Sequence, residues 1–380
     1  MLILVVNCGS SSAKYDLFDM KKGSSDLAKG IIERIGEKPA TLTHHADGTK
    51  IQKEIDCFDH HQAIGIIRDT LLDKEIGVIS DVKEVLGVGH RVVHGGEEFN
   101  QSAIINDEVI KSIEKFSELA PLHNPPSLEG ILGCMKIFKD VPQVAVFDTA
   151  FHQSMEKHVF SYGIPYELYE KYGIRRYGFH GTSHRYVSEK TAELLKRPLE
   201  ELNMITVHLG NGCSVAAIKK GKSVDTSMGF TPLEGLVMGT RSGDIDPAVI
   251  PFIMHREGLG VDGVIDILNK KSGLLGVSGI SNDMRDILGA IKEGNERARL
   301  AYDIFYYRIK KYIGAYTAVL GEVDAVVFTA GIGENVVEIK NKLKDELNFL
   351  SGKGTEFLAV STNEDLLIAK DTYRIVSSEQ

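Results

Sequence analysis

The chain opens with an apolar run, LILVVN, meets a small polar turn, CGSSS, and returns as AKYDLFDM, where Tyr15, Leu17 and Phe18 fit a half-buried second strand. The same plan recurs in the second half: MITVHL, then GNGC, then SVAAIKKG. A further pair of echoes, VPQVAVFDTAFHQ (Val141–Gln153) and VDAVVFTAGIGEN (Val323–Asn335), reads each time as a buried strand running into a polar, small-residue turn. The repetition predicts an internally duplicated α/β domain. From Glu296 to Leu320 the apolar positions Leu300, Ile304, Ile309, Ile313, Tyr316 and Leu320 predict one long helix with a single buried stripe. The boundary between the halves is expected near Ala150, giving domains 1–150 and 151–364. In STNEDLLIAKDTYRIV, Ser361 and Glu364 have the spacing of a capping box ahead of a helical run. That helix, 365–380, is expected to pack back on the first domain.

Composition narrows the class. A chain of 380 residues exceeds one ordinary core, and 43% hydrophobic with 26% charged residues is a globular balance. Several of the 38 glycines follow apolar runs, which suggests tight loops at strand ends. A formal charge of −9 with no long Lys/Arg run excludes a nucleic-acid surface. Cys8, Cys57, Cys134 and Cys213 show neither a CxxC pair nor zinc-finger spacing, so a reducing cytoplasm is the expected compartment. MLILVV lacks the basic flank and apolar length of a signal peptide, and no run approaches the ~18 apolar residues of a membrane span. No membrane partner is expected.

The loops suggest phosphate binding of an uncommon kind. No GxxxxGK[ST] is present, and GIGENV lacks the third glycine of the dinucleotide fingerprint. Two strand–turn–strand units, one in each half, offer backbone N–H groups from CGSSS and LGNGC to phosphates across a cleft, with Ser10, Ser11, Ser12 and Lys14 as further donors. In TAGIGEN, Gly331 and Gly333 allow the backbone to approach a flat ring. Asp283 and Arg285 in SNDMRD suit ribose hydroxyls and a stacked base, or equally a helix cap with a surface ion pair.

The chemistry concentrates in five loops: GVGHRVVHGG, LAPLHNPP, VFDTAFHQ, RRYGFHGTSH and VMGTRSGDIDP. They carry Arg91, His123, Asp148, His180 and Arg241, each beside small, proline or aromatic neighbours that imply partial burial. A charge so placed is costly unless paired or used. None of the five resembles a metal cluster or a nucleophile elbow. Two arginines and a histidine suit a planar phosphoryl group in flight, which needs electrostatic stabilisation more than proton transfer.

NCGSSSAKY, GHRVVHGG, APLHNP, VFDTAFH, YGFHGTSH, HLGNGCS, MGTRSGDIDP and GIGEN occur in this order nearly end to end, and in them the chain resembles the acetate kinase family. The resemblance implies two actin-like, ribonuclease H-like ATPase domains flanking a nucleotide cleft. It also implies reversible phosphoryl transfer between ATP and acetate, giving ADP and acetyl phosphate, with Mg2+ or alternatively Mn2+, in a homodimer. Position by position, it implies Asn7 and Glu364 at the metal. Ser10, Ser12, Lys14, His208, Leu209, Gly210, Asn211 and Gly212 would lie at the nucleotide phosphates. Asp283, Met284, Arg285, Gly331, Ile332, Gly333, Glu334 and Asn335 would hold adenosine. Arg91 would hold the acetate carboxylate and Asp148 orient it, while His180 and Arg241 stabilise the transition state, with His123 lining the site. Val93, Leu122, Phe179 and Pro232 would wall the substrate methyl. Acetate, with a pKa of roughly 4–5, arrives ionised, so Asp148 is expected to fix Arg91 and the substrate rather than remove a proton. A propionate or butyrate kinase of the same fold is the nearest rival reading, and a nucleotide-gated actin or chaperone-like clamp the rival of another class. Between ELNFL and STNEDLL the chain carries only SGKGTEFLAV, where the family has a longer polar segment. That shortening bears on the strand leading to Glu364.

Overall fold

The computed structural model describes residues 1–22, 25–121, 123–351 and 354–378. The chain divides into two units, Met1–Ala150 with Asn363–Gln380, and Phe151–Thr362.

The first unit is built on β1 (Leu2–Gly9), β2 (Ser12–Asp19), β3 (Ser25–Glu33), β4 (Ala40–Ala46), β5 (Thr49–Ile55), β6 (Val85–Val92), β7 (Ala103–Ile104) and β8 (Gln143–Phe147). Their order in the sheet is β5-β4-β3-β2-β1-β6-β8-β7. β1 and β2 form a hairpin, whereas β6 and β8 run parallel to β1. Leu2, Leu4 and Val6 of β1 join a core on one face of the sheet, and Ile3 and Val5 join another on the opposite face. LILVV therefore reads as a continuous apolar run because both faces are covered.

The second face is covered by the helix Glu364–Ser378. Its close approach depends on glycine: a Cβ at Gly89 of β6 would come within 2.4 Å of Thr372 Oγ1 and 2.6 Å of Ile368 Cγ2. The capping box expected at Ser361 does not form. Asn363 is the cap, accepting from Leu366 N at 2.9 Å, while the Ser361 hydroxyl donates to Glu334. The helix and its cap belong to one unit, so the division falls at Asn363 rather than at Asp365.

The second unit repeats the plan with β9 (Asn203–Leu209), β10 (Cys213–Lys219), β11 (Lys222–Thr226), β12 (Ala325–Thr329) and β13 (Glu356–Ala359), ordered β11-β10-β9-β12-β13. In both units an antiparallel meander, of five strands in the first and three in the second, continues into two parallel strands, which is the duplication the echoes predict. β13 forms despite the short segment before it, pairing with β12 from Ala325↔Glu356 to Phe328↔Ala359. The first echoed strand ends in a turn at Asp148 and Thr149 before the short helix Ala150–Ser154, whereas the second runs directly into the helix Ala330–Asn335 rather than an open turn.

The long helix spans Glu296–Leu320 as expected, but its stripe differs. Leu300 is exposed and Ile304 half-buried; the buried line runs through Ala301, Phe305, Ile309, Ile313, Tyr316 and Leu320. Steps of four and three residues fix the face, and alanine at its start lets the helix lie close. No described helix is long and apolar enough to cross a membrane.

His90 on β6 is buried, its Nε2 lies 2.7 Å from Gln143 Oε1, and burial pushes its pKa down to about 4. The unfolded chain would take up this proton near its ordinary pKa of about 6.5. Stability is therefore complete above pH ~6.5 and falls as the pH drops toward ~4, by on the order of 3 kcal/mol from this group alone. Melting curves of wild type and His90→Gln between pH 7 and 4 test this: the variant should lose less of its Tm on acidification, and parallel curves would contradict it.

Candidate active site

In the first unit the parallel strands β1, β6 and β8 bring Asn7, Arg91 and Asp148 together at their carboxyl ends: Asn7 and Arg91 each follow the pair Val6↔His90, and Asp148 lies one residue beyond Phe147, which pairs with Val92. The Arg91 amide donates to Asn7 Oδ1 at 3.3 Å. The Arg91 guanidinium grips Asp148 with Nε 3.1 Å from each carboxylate oxygen and Nη2 2.7 Å from Oδ2. Glu364 Oε2 lies 3.5 Å from the same Nη2. Asp148 is fully buried, beyond the partial burial its sequence neighbours imply, whereas the Arg91 side chain is 32% exposed. Burial works against the Arg91 charge, but the carboxylates of Asp148 and Glu364 outweigh it and hold its pKa above the ordinary value.

A second cluster adjoins it. Asn7 and Lys14 face each other across the β1–β2 hairpin, and both reach Asp365 on the first turn of the C-terminal helix. Asn7 Nδ2 donates to Asp365 Oδ1 at 2.5 Å; Lys14 pairs with Asp365 Oδ2 and, at 3.3 Å, with Asp16. Burial and the adjacent Asp365 push Asp16 up to about 7. Lys14, expected at the nucleotide phosphates, thus already has carboxylate partners within its own unit. Asp365 and Asp16 are the residues sequence reasoning missed. The adjacency of two acids in NED was visible, but the cross-strand register that selects Asp365 was not.

Gly9 pairs with Ser12, which leaves Ser10 and Ser11 exposed at the hairpin tip. Val93 is half-buried just beyond β6. Leu122 lies outside the described residues. His123 is exposed, against the expectation of partial burial, because it precedes the first turn of the helix Asn124–Ile137, which prolines start.

In the second unit β9 and β10 are joined by Gly210, Asn211 and Gly212. A Cβ at Gly212 would lie 3.3 Å from Arg241 Nη1 and 3.4 Å from His180 Nε2, so both side chains come down onto this turn. Arg241 is half-buried; its Nη1 donates to the Pro232 carbonyl at 3.2 Å, and burial lowers its pKa. Among the described residues no carboxylate pairs with it, the opposite of the preparation of Arg91. His180 sits at φ 57°, stacked on His208 with ring centroids 4.2 Å apart. Asn211 is held by its carbonyl, which accepts from Gly239 N at 3.0 Å, and by its amide oxygen, which accepts from Asn282 at 2.9 Å.

The remaining sequence candidates fall unevenly. Leu209 and Met284 are buried, so their side chains are committed to packing. Asp283 caps the helix Met284–Lys292 and pairs with the exposed Arg285, whose hydrogen bonds hold its pKa down to about 2. Gly331 faces open space, as close approach of a ring requires, whereas Gly333 is buried against Phe328 and Val207. Ile332 is half-buried, Glu334 accepts from the Ser361 hydroxyl at 2.7 Å, and Asn335 donates to the Gly331 carbonyl at 2.8 Å. Phe179 is buried, its carbonyl 3.0 Å from His152 Nε2. The arginines of RRYGFH are structural: Arg175 stacks 3.5 Å over the Phe160 ring, and Arg176 binds Glu234 and the carbonyls of Thr226, Ser227 and Met228.

A family model described as the acetokinase family matches residues 2–377. The chain is 58% identical to an acetate kinase of Halothermothrix orenii, over all of both chains, in an alignment of 399 positions. It is 56% identical to an acetate kinase of Thermoanaerobacter pseudethanolicus over 99% of both. Among solved structures it superposes on an acetate kinase of Porphyromonas gingivalis with a TM-score of 0.93 at 46% identity, over 99% of both chains. A propionate kinase of Francisella tularensis gives a TM-score of 0.91 at 42% identity, over 98% of this chain and 99% of that one.

Proposed function

The chain belongs to the acetokinase family, and from that premise we propose that it is an acetate kinase, transferring the γ-phosphoryl group of ATP reversibly to acetate to give ADP and acetyl phosphate. The observation that carries the mechanism is the opposite preparation of two arginines: Arg91 is neutralised by Asp148, whereas Arg241, beside His180, is half-buried and has no carboxylate partner among the described residues.

A phosphoryl group passing between two oxygens spreads negative charge over three equatorial oxygens, and donors fixed in advance stabilise it most. Arg241 and His180 are suited to that charge. Arg91 is suited to the carboxylate: Asp148 fixes its fork while the part exposed to solvent remains available. The ionised acetate oxygen then attacks phosphorus directly, with no base needed. Val93, Phe179, Pro232 and Leu122 as the apolar wall, and the Gly210–Gly212 turn, Asp283–Arg285 and Gly331–Asn335 as the nucleotide contacts, belong to the same proposal.

Mg2+ would lower the charge on the nucleotide phosphates. Among the described residues no group of three or more His, Cys, Asp or Glu side chains forms a ready-made cage. The oxygen-only set of Asn7 and Glu364, with Asp365 alongside, fits an ion that keeps several waters and takes one or two carboxylates plus phosphates. A homodimer, and a cytoplasmic location for which four free cysteines speak, complete the reading.

Steady-state comparison of acetate, propionate and butyrate tests it. A methyl-sized pocket discriminates against one extra methylene by about 1–3 kcal/mol, so propionate should show kcat/KM roughly 10- to 200-fold below acetate. Butyrate as the best substrate would overturn the assignment, and ADP release independent of any carboxylate would point to the clamp.

A further inference from the structure

Two histidines of the second unit share one hydroxyl. Ser214 Oγ, on β10, lies 2.9 Å from His180 Nδ1 and 2.7 Å from His184 Nε2. His184 Nδ1 lies 2.7 Å from Thr206 Oγ1 on the adjacent strand β9. Ser214, His184 and Thr206 are completely buried. The stack on His208 sets the plane of the His180 ring, and Ser214 sets its rotation, which turns Nε2 toward the Gly212 turn beside Arg241.

Proton counting restricts this chain. A neutral imidazole has one N–H and one lone pair, and a hydroxyl has one proton to donate. His184 is neutral: burial, joined by the neighbouring His152 and His208, holds its pKa well below the ordinary value. With these two rings as the partners of Ser214 Oγ among the described residues, its proton points at one or the other. Two polarities follow. If Thr206 donates to His184 Nδ1, then His184 Nε2–H donates to Ser214 and Ser214 donates to His180 Nδ1. The His180 proton is then on Nε2. In the reverse polarity His184 donates to Thr206, whose own proton has no other acceptor among the described residues. Burying an unmade donor leaves its full desolvation penalty uncompensated. The first polarity leaves no such orphan.

We infer that the chain Thr206–His184–Ser214 holds His180 in the Nε2–H tautomer, so that the nitrogen turned toward the Gly212 turn is the protonated one, as donation to an acceptor-only phosphoryl group requires. Ser214 and His184 are then positioning residues. The benefit to catalysis rests on the proposed role of His180, but the tautomer is a property of the chain alone.

Long-range proton–nitrogen NMR on the full chain with 15N-labelled histidine, assigned with His180→Gln and recorded at pH 8, reads the tautomer directly. The expected pattern is a pyrrole-like Nε2 and a pyridine-like Nδ1 for His180. Ser214→Ala and, as a second variant, Thr206→Val should move both signals toward the average of the two tautomers. They should also lower kcat by on the order of tenfold with KM for acetate and ATP within about threefold, and Ser214→Thr should restore both. An Nδ1–H tautomer in the wild type, or unchanged spectra in both variants, would overturn the inference and leave the kinase reading intact. His180→Ala with wild-type activity would instead overturn the role given to His180, whatever its tautomer.

Discussion

Arg241→Ala should lower kcat for acetyl phosphate formation by roughly 30- to 1000-fold, the loss of about 2–4 kcal/mol that follows removal of one preorganised donor. The physical ground is the state of its guanidinium. Half-buried and, among the described residues, without a carboxylate partner, it carries a positive charge that burial disfavours. Such a group gains most from an anion whose charge grows during the reaction, so the loss should appear in kcat more than in the KM for acetate. Fold stability should change little, because the bonds lost are one to a carbonyl and one to the Met238 sulfur. Full steady-state kinetics beside a melting curve tests both halves: kcat within threefold of wild type would count against the site.

Arg91→Ala should fail differently. It strips a bidentate guanidinium from a carboxylate that is 1% exposed, and removing one partner of a buried pair costs about 3–5 kcal/mol. Because the arginine is itself 32% exposed, the low end applies. The variant should therefore melt several degrees lower as well as losing activity on the scale of Arg241→Ala. Adding Asp148→Asn should recover much of the Tm and none of the activity. An Arg91→Ala protein with the wild-type Tm would show that the pair does not hold Asp148 in place.

The features legible in the sequence are those set by local pattern. Alternation and apolar runs gave β1, β2, β9, β10 and the echoed strands β8 and β12, and their repetition gave the duplicated plan. The helix Glu296–Leu320 was readable from its period. Which face it buries was not, because Ala298 and Ala301 are too small to register as apolar anchors yet lie against the core. The cap of the last helix went to Asn363 rather than Ser361, since Glu334 offers the serine a competing acceptor. The candidate site residues stand out by their sequence neighbours, but their partners depend on long-range register. Lys14 meets Asp365 only after β2 turns back on β1 and the C-terminal helix settles on Gly87 and Gly89. Ser214 had no signal beyond alternation along β10, and its bridging of two histidines required β9, β10 and the helix Gly181–Leu195 to be assembled.

The most direct test of the central claim is to incubate the protein with ATP, acetate and Mg2+, trap acetyl phosphate as its hydroxamate, and count ADP in the same samples, beside Arg241→Ala. Hydroxamate and ADP should form in equal amounts, dependent on acetate, and both should be lost in the variant. ADP formed without hydroxamate, or a variant as active as the wild type, would contradict it.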